Sequence, residues 1–317
     1  MAVETRDDEA FRRLVEPHHR AVRLHCYRML GSLQDAEDLT QETLVRAWRS
    51  LDQFEGRASL RAWLYRIATN ACLDEIDRRG RRILPVMQGT PLTTFTSGTP
   101  IPAETPWLDP LPDAWWDLAD SEPGPEARYE AKESIELAFV AALQQLPGRQ
   151  RAVLLLCDAL GWSAPEVADL LDMSVTATHS ALQRARANVG RSPADAQPRM
   201  TPEAERVLVE RYVGAWERGD FAALADLLKD DARLSMPPLP EWYLGKVALV
   251  EFFRWATSQD GPGPYRFVSL RANGAPAFAI YAREQPFVLQ VLEVHSEGIS
   301  SITSYMDTRL FPFFQNG

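Results

Sequence analysis

Residues 146–189 read LPGRQRAVLLLCDALGWSAPEVADLLDMSVTATHSALQRARANV. An apolar helix runs to Gly161, where its pattern stops. Ser163 followed by Glu166 forms a capping box that opens a second helix over APEVADLLD. That helix breaks at a tight turn around Met173, and Ser174 caps a third. Two capped helices joined by so short a turn predict a helix-turn-helix. At ~100° per residue the third helix turns Val175, Thr178, Leu182, Ala185 and Val189 inward. Thr176, Ala177, Ser180, Gln183, Arg184 and Ala187 then face outward. No acid occurs from Ser174 to Ser192, whereas a solvated surface helix more often carries Glu/Lys pairs. A small, polar, acid-free face with one arginine and one glutamine suits base edges and phosphates. DNA binding is the expected activity, with an ordinary helical hairpin as the alternative.

Upstream, residues from about 8 to 80 have helical periodicity throughout. In the stretch Asp35–Trp48, DAEDLTQETLVRAW, the small or apolar positions Ala36, Leu39, Thr43 and Ala47 recur at three- and four-residue steps and predict a buried face. Asp35, Asp38 and Glu42 share another face. Ser32 with Asp35 is a capping-box pattern, and acids in a first turn complement the helix dipole. Those effects account for Asp35, Glu37 and Asp38 but not for Glu42, a turn or more further in. The face is either ordinary solvated surface or the complement of a basic partner. Ser59 caps the next helix, SLRAWLYRIATNACLDEI, which runs into the basic cluster Arg78, Arg79, Arg81 and Arg82.

The 317 residues suit two or three domains, and the composition, 45% hydrophobic and 25% charged, is that of a globular protein. Cys26, Cys72 and Cys157 are too far apart for a CxxC or metal-type spacing and read as small buried residues. No metal or other cofactor is expected. The opening residues lack a signal-peptide core and no apolar run approaches a membrane span, so a cytoplasmic protein with no membrane partner is expected. A net charge of −10 argues against a nucleic-acid partner only if it is spread evenly, and it is not. Residues 83–132 carry 2 basic and 8 acidic side chains, while residues 1–82 carry 15 and 14.

From Ile83 to Pro125 nine prolines and three glycines remove any periodicity, which predicts an extended linker. Within it, WLDPLPDAWWD sets Trp107, Leu108, Trp115 and Trp116 among acids and prolines, and tryptophans so placed are expected to dock. After a second short linker the character changes. Three helices, TPEAERVLVERYVGAWERGD, FAALADLLKD and GKVALVEFFRWATS, precede four alternating stretches joined by Gly, Asn and Pro turns. Such an order predicts an α+β domain.

Two helical modules joined by a Pro-rich linker, the second ending in a helix-turn-helix, resemble an extracytoplasmic-function (ECF) sigma factor of the sigma-70 family. GSLQDAEDLTQETLVRAWRSLDQFEGRASLRAWLYRIATNACLDEIDRRGRR resembles region 2, and residues 146–189 resemble region 4. The motif WLDPLPD and the tail ending MDTRLFPFF resemble the subgroup with a C-terminal SnoaL-like domain. The resemblance implies two all-α sigma modules joined by a Pro-rich linker, plus an α+β SnoaL/NTF2-like cone. The expected bounds are region 2 at 1–82, an acidic linker at 83–130, region 4 at 131–191 and the SnoaL-like domain at 192–317.

The resemblance also implies partners: core RNA polymerase, through its β′ clamp helices and β flap, and double- and single-stranded promoter DNA. Asp35, Asp38, Gln41 and Glu42 are then the clamp-binding candidates, the acidic face giving complementarity and faster encounter. For the −10 element the candidates are Phe54, Arg57 and Ser59 in the loop before the helix, with Arg61, Trp63, Arg66 and Asn70 on it; Trp63 fits a core position equally well. A flipped base needs new stacking and edge hydrogen bonds to offset its unstacking. The arginines at 78–82 would hold phosphates. At the −35 element the candidates are Thr176, His179, Ser180, Gln183 and Arg184. The linker would follow polymerase channels built for nucleic acid.

In the tail, Trp216, Met236, Trp242, Tyr243, Phe252 and Trp255 line either a core or a small-molecule pocket. The favoured expectation is that this domain regulates the sigma modules in cis. The alternative is an isomerase, cyclase or hydrolase with His295 and Asp307, both on apparent strands, facing a cavity.

Overall fold

Serine caps set the starts of the N-terminal helices. Ser32 Oγ accepts from the amide of Asp35 at 3.3 Å and Ser59 Oγ from that of Ala62 at 3.1 Å. In the computed structural model of the chain, the described residues are 8–54, 59–80, 82–87, 89–96, 107–116, 136–189, 200–258 and 260–315. They divide into two units, residues 1–82 with 114–190 and residues 83–113 with 191–317.

The first unit begins with α1 (Asp8–Leu30), α2 (Leu33–Arg49) and α3 (Leu60–Arg79), which pack on one another in all three pairs. The predicted face of α2 is buried at Ala36, Leu39, Thr43 and Ala47. Val22, Cys26 and Met29 of α1 and Leu64, Ala68 and Cys72 of α3 are buried with it where the three helices pack. His25 is buried there as well, its Nε2 2.9 Å from Thr69 Oγ1 and its ring edge-on to Tyr65. Burial, with a smaller effect from Arg28, pushes its pKa down to about 3, so the ring is neutral at pH 7.

The second half of this unit is α4 (Leu137–Gln144), α5 (Gly148–Leu154) with a π turn at Leu155–Ala159, α6 (Ala164–Leu170) and α7 (Val175–Val189). The capping box at Ser163 forms as predicted, with Glu166 Oε2 accepting from Ser163 N at 2.8 Å. Asp172, at φ 51°, turns the chain between α6 and α7. The inward face of α7 is Thr178, Ala181, Leu182 and Ala185; Val175, expected inward, is 41% exposed because it is the first helical residue, ahead of the packed turns.

The two helical modules, read from the sequence as separate bodies on a linker, pack together within this unit. Gly148 sits so close to α3 that a Cβ there would lie 3.0 Å from Leu73 Cδ2. Gln144 Nε2 donates to the carbonyl of Arg28 at 3.2 Å. Arg151, 1% exposed, donates to Met29 O, to Gln144 Oε1 (2.6 Å) and to the carbonyls of Gln144 (3.0 Å) and Leu146 (3.2 Å). The Met29 and Gln144 carbonyls belong to the ends of helices, where carbonyls lack intrahelical partners and the dipole favours a cation; Leu146 follows two residues after α4, and Gln144 adds its side-chain oxygen.

The second unit is a six-stranded sheet in the order β2-β1-β6-β5-β4-β3, with β1 parallel to β6 and the other pairs antiparallel. The strands are β1 (Leu228–Ser235), β2 (Trp242–Leu244), β3 (Tyr265–Ala272), β4 (Ala275–Ala282), β5 (Gln285–His295) and β6 (Gly298–Tyr305). The helices are α8 (Pro202–Arg218), α9 (Phe221–Leu227), α10 (Lys246–Ala256) and α11 (Phe311–Gln315). Asn273 and Gly274 both take positive φ, the pair that a tight β3–β4 hairpin favours. Two sequence expectations are corrected here. FAALADLLKD ends as a helix at Leu227 and its last residues start β1, whose Lys229, Asp230 and Asp231 mask the strand signal. MDTRLF leaves the sheet, and Asp307 caps the short turn Thr308–Leu310 instead of lying on a strand.

The described residues within 83–113, read as linker, cluster with the sheet unit. Trp107, Leu108 and Leu111 are buried. Asn273 and Leu111 exchange two hydrogen bonds of 2.8 Å, and Asp113 accepts from Gly274 N at 2.8 Å and pairs with Arg271 at 3.2 Å. WLDPLPD therefore docks as expected, while Trp115 is buried in the helical unit with Arg23 4.0 Å above its ring.

Arg151→Met should destabilise the helical unit by at least about 3 kcal/mol, because each buried carbonyl left unpaired costs about 1–3 kcal/mol. Urea unfolding followed by helical circular dichroism measures it. A loss below ~1 kcal/mol would show that water or other donors replace the guanidinium.

Candidate nucleic-acid interface and C-terminal cavity

On α2 the charges separate into two sets. Asp38, Gln41 and Glu42 are exposed, with Glu42 paired to Arg46 along the helix at 2.5 Å and Asp38 accepting from Gln34 at 2.9 Å. Val45, 46% exposed, adds an apolar point that charge patterning alone does not reveal. Asp35 departs from the expectation of an exposed face. It is 8% exposed, and its two oxygens accept from Arg79 and Arg82 at 2.7 Å each. Its carboxylate thus leaves the capping-box geometry to tie α2 to the end of α3. Of the basic cluster, Arg79 and Arg82 are held by Asp35, Arg78 pairs with Glu75 at 2.6 Å, and Arg81 lies outside the described residues.

Phe54 and Trp63 form a half-buried pair with ring centroids 5.0 Å apart at the start of α3, so Trp63 is not a core residue. Arg57 lies outside the described residues. Ser59 is occupied as the helix cap. Trp63, Arg66 and Asn70 fall within one turn-face of α3, and Asn70 is exposed. Arg61 lies 5.7 Å from the Tyr65 ring. Arg66 donates to Asp172, in the turn before α7, at 3.0 Å.

On α7, Thr176, His179, Gln183 and Arg184 are exposed, and Ser180 is half-buried with its hydroxyl donating to Thr176 O at 2.9 Å. The two arginines of QRARAN differ. Arg186 donates two bonds to Asp158, at 3.0 and 2.7 Å, which raises its pKa, whereas Arg184 forms no ion pair among the described residues.

In the sheet unit a cavity of about 220 Å³ opens between α8, α10 and the curved sheet. Its walls are almost wholly apolar, led by Trp216, Met236, Phe252, Trp255, Phe267 and Phe287. Gln290 and Ser304 are the polar floor. Gln290 Oε1 accepts from Tyr212 at 2.8 Å and its Nε2 donates to Ser304 at 3.1 Å; burial raises the Tyr212 pKa. His295 and Asp307 are not in the lining, and Asp307 is taken up by Arg309, which holds its pKa down.

Family models for sigma-70 region 2, sigma-70 region 4 and a SnoaL-like domain match residues 14–82, 136–189 and 209–296. The chain is 44% identical over 307 residues to the ECF RNA polymerase sigma factor SigG of Mycobacterium tuberculosis, covering 94% of this chain and 82% of that protein. This protein is an ECF RNA polymerase sigma factor. A second relative, the ECF RNA polymerase sigma factor SigE of Mycolicibacterium smegmatis, is 32% identical over 173 residues, covering 55% of this chain and 57% of that protein. The crystal structure of the M. tuberculosis ECF sigma factor SigJ has the same fold, with a TM-score of 0.60 at 20% identity over 94% of this chain and 98% of that one.

A sigma factor of this family binds RNA polymerase and promoter DNA, and the chain's sigma regions occupy the helical unit. Within it the fold pairs Phe54 with Trp63 at the start of α3, sets Arg66 and Asn70 further along that helix, and lines Thr176, His179, Gln183 and Arg184 along α7. It removes Asp35 from the exposed set. Of the six residues expected to line a core or a pocket, Trp216, Met236, Phe252 and Trp255 stand in the cavity wall, whereas Trp242 and Tyr243 lie outside the lining; Phe95 and Gln290 were not expected there. Phe95 sits in a Thr/Ser run with no periodicity, so nothing local marked it.

Proposed function

We propose that this sigma factor docks on the β′ clamp helices through Asp38, Gln41 and Glu42. Region 4 meets the β flap, and the protein reads promoters with α3 and α7 in a cytoplasmic setting. The observation that carries the reading is the sorting of charges on α2 and α7. Asp35 and Arg186 are consumed inside the fold, while Asp38, Glu42 and Arg184 stay available to a partner. Exposed carboxylates complement a basic coiled coil and raise the encounter rate more than the affinity.

For the single-stranded −10 element, the Phe54–Trp63 pair offers a stacking surface, worth about 1–3 kcal/mol per base in such sites. Asn70 supplies an edge hydrogen bond, and Arg61 and Arg66 meet the backbone. Arg66 gives up only an exposed pair with Asp172, of the kind worth about 0–1 kcal/mol. Ser59 acts by setting the start of α3. In the −35 duplex, Gln183 and Arg184 read base edges, with Thr176, His179 and Ser180 beside them.

The tail modulates the sigma modules in cis. Its cavity offers an apolar lining and a hydrogen-bonded Gln290–Ser304 floor, which supports binding over turnover. A covalently attached domain acts at high effective concentration, so weak interactions suffice. Promoter output in vitro should therefore differ between the full chain and one ending at Arg191. Equal output with both saturating core polymerase would leave the tail without this role.

Asp38→Arg combined with Glu42→Arg should abolish capture of core polymerase while circular dichroism stays native. Asp35→Asn should instead lower thermal stability. Normal β′ pull-down by the folded double variant would overturn the docking surface.

Arg184→Ala should weaken promoter binding of the holoenzyme by about 1–3 kcal/mol and relax preference at one −35 position, if the contact is bidentate to guanine. Arg186→Ala should leave base preference unchanged. Unaltered affinity in the Arg184 variant, across −35 sequences and salt, would remove that residue from the interface.

A further inference from the structure

We propose that the C-terminal cavity is a receptor for a flat apolar ring molecule bearing one hydrogen-bonding oxygen, and that segment Leu92–Thr96 is one of its walls, so that filling the cavity locks this segment onto the sheet edge. Leu92 joins the edge strand β2, its N–H donating to Trp242 O and its carbonyl accepting from Leu244 N, both at 2.9 Å. Three residues on, Phe95 enters an aromatic box, with ring centroids 5.3 Å from Tyr243, 5.4 Å from Phe252 and 5.2 Å from Trp255. Its amide donates to Glu251 Oε2 at 2.9 Å, and Thr96 O accepts from Tyr243 OH at 3.0 Å. Phe95 and Thr96 both line the cavity. A segment that precedes the domain in sequence by more than a hundred residues thus completes its binding site.

The chemistry of the walls sets the class of ligand. Phe95, Trp216, Phe252, Trp255, Phe267 and Phe287 present ring faces and edges that favour another flat ring. Each Gln290 amide atom makes one bond, to Tyr212 or Ser304, which leaves one N–H and one lone pair unused. The indole of Trp216, a residue only 8% exposed, is a hydrogen-bonding neighbour of Tyr212, so the polar atoms left for a ligand are those of Gln290. One oxygen on the ligand meets them. No carboxylate or imidazole lines the cavity among the described residues, so a charged ligand gains no ion pair there.

The lock follows from linkage. Segment 92–96 is held by four hydrogen bonds and one ring but buries little, since Thr93, Thr94 and Thr96 are exposed and Leu92 and Phe95 are only half-buried. Segments held by so few buried contacts open readily. A ligand that touches Phe95 only when the segment is docked binds that state more tightly, and it shifts the equilibrium by that difference. The consequence for transcription rests on the tail's proposed regulatory role. The receptor itself does not, and the experiment reads only the receptor.

The probe is 2-naphthol, titrated into the full-length chain by calorimetry, with hydrogen exchange read over residues 90–96 and 242–246. The expected results are saturable binding and severalfold slower exchange at the Leu92, Phe95 and Leu244 amides. Phe95→Ala should bind about tenfold more weakly, the loss expected for one aromatic wall, and lose the probe-dependent protection. Phe95→Leu should recover part of both, and it serves as the check if the alanine variant folds poorly. Ile280→Trp, which fills the cavity, should abolish binding. Absence of 2-naphthol binding would overturn the receptor. Equal affinity in the Phe95→Ala chain, or faster exchange of the segment on binding, would overturn the lock.

Discussion

Arg151 is a fixed cation buried where helices end. The C-terminal carbonyls of α1 and of the stretch around α4 have no partners within their own helices, and its guanidinium collects them. A planar group with several donors suits this task, because a lysine ammonium is a point charge that cannot span acceptors on separate helices. The arrangement binds the carbonyl of Met29 in the first three-helix module to Gln144 and Leu146 in the second. Gly148 removes the side chain that would hold α5 off Leu73 of α3. The geometry of the helix-turn-helix, and hence the direction in which α7 presents its face, is built on this seam.

Around that seam the charges divide by burial. A buried carboxylate held by two arginines, as at Asp35, is costly to open, because the desolvated carboxylate would lose its partners. Exposed pairs such as Glu42–Arg46 and Arg66–Asp172 exchange partners at little cost. The same rule separates Arg186, which braces α7 against Asp158, from Arg184, which points at whatever the helix meets. Function in a sigma factor is left to the charges that the fold does not use.

The sheet unit solves a different problem. Its edge strand β2 is three residues long, and such an edge exposes unpaired backbone groups. Leu92 covers part of it with two main-chain bonds, and Phe95 fills the aromatic box beneath. At the opposite edge Asn273 and Gly274 hold Leu111 and Asp113. Proline-rich sequence serves here because it needs few amide donors and enters the fold as extended chain. Of the residues that look wasteful in a free linker, Asp113 has its partners in this unit, Trp107 is buried, and Trp115 is buried in the helical unit under Arg23.

The sequence by itself determined the helices, their caps, the helix-turn-helix and the mixed α+β character of the tail. These depend on interactions within a few residues: a serine reaching three residues on, an apolar face repeating each turn, an Asn-Gly pair that closes a hairpin. It also showed that WLDPLPD had to dock, because exposed tryptophan is unfavourable, and it marked the exposed acids of α2 and the polar face of α7. Tertiary structure decided what depends on distant partners. Asp35 looked like Asp38 until Arg79 and Arg82 arrived from the end of α3. Arg184 and Arg186, two residues apart, could be told apart only by Asp158, twenty-eight residues upstream of Arg186. The charged strand β1 pairs in parallel with β6 some seventy residues later, a partnership that no local alternation encodes. Phe95 completes a cavity whose other walls lie far along the chain, because burial and shape are properties of the folded assembly and not of spacing.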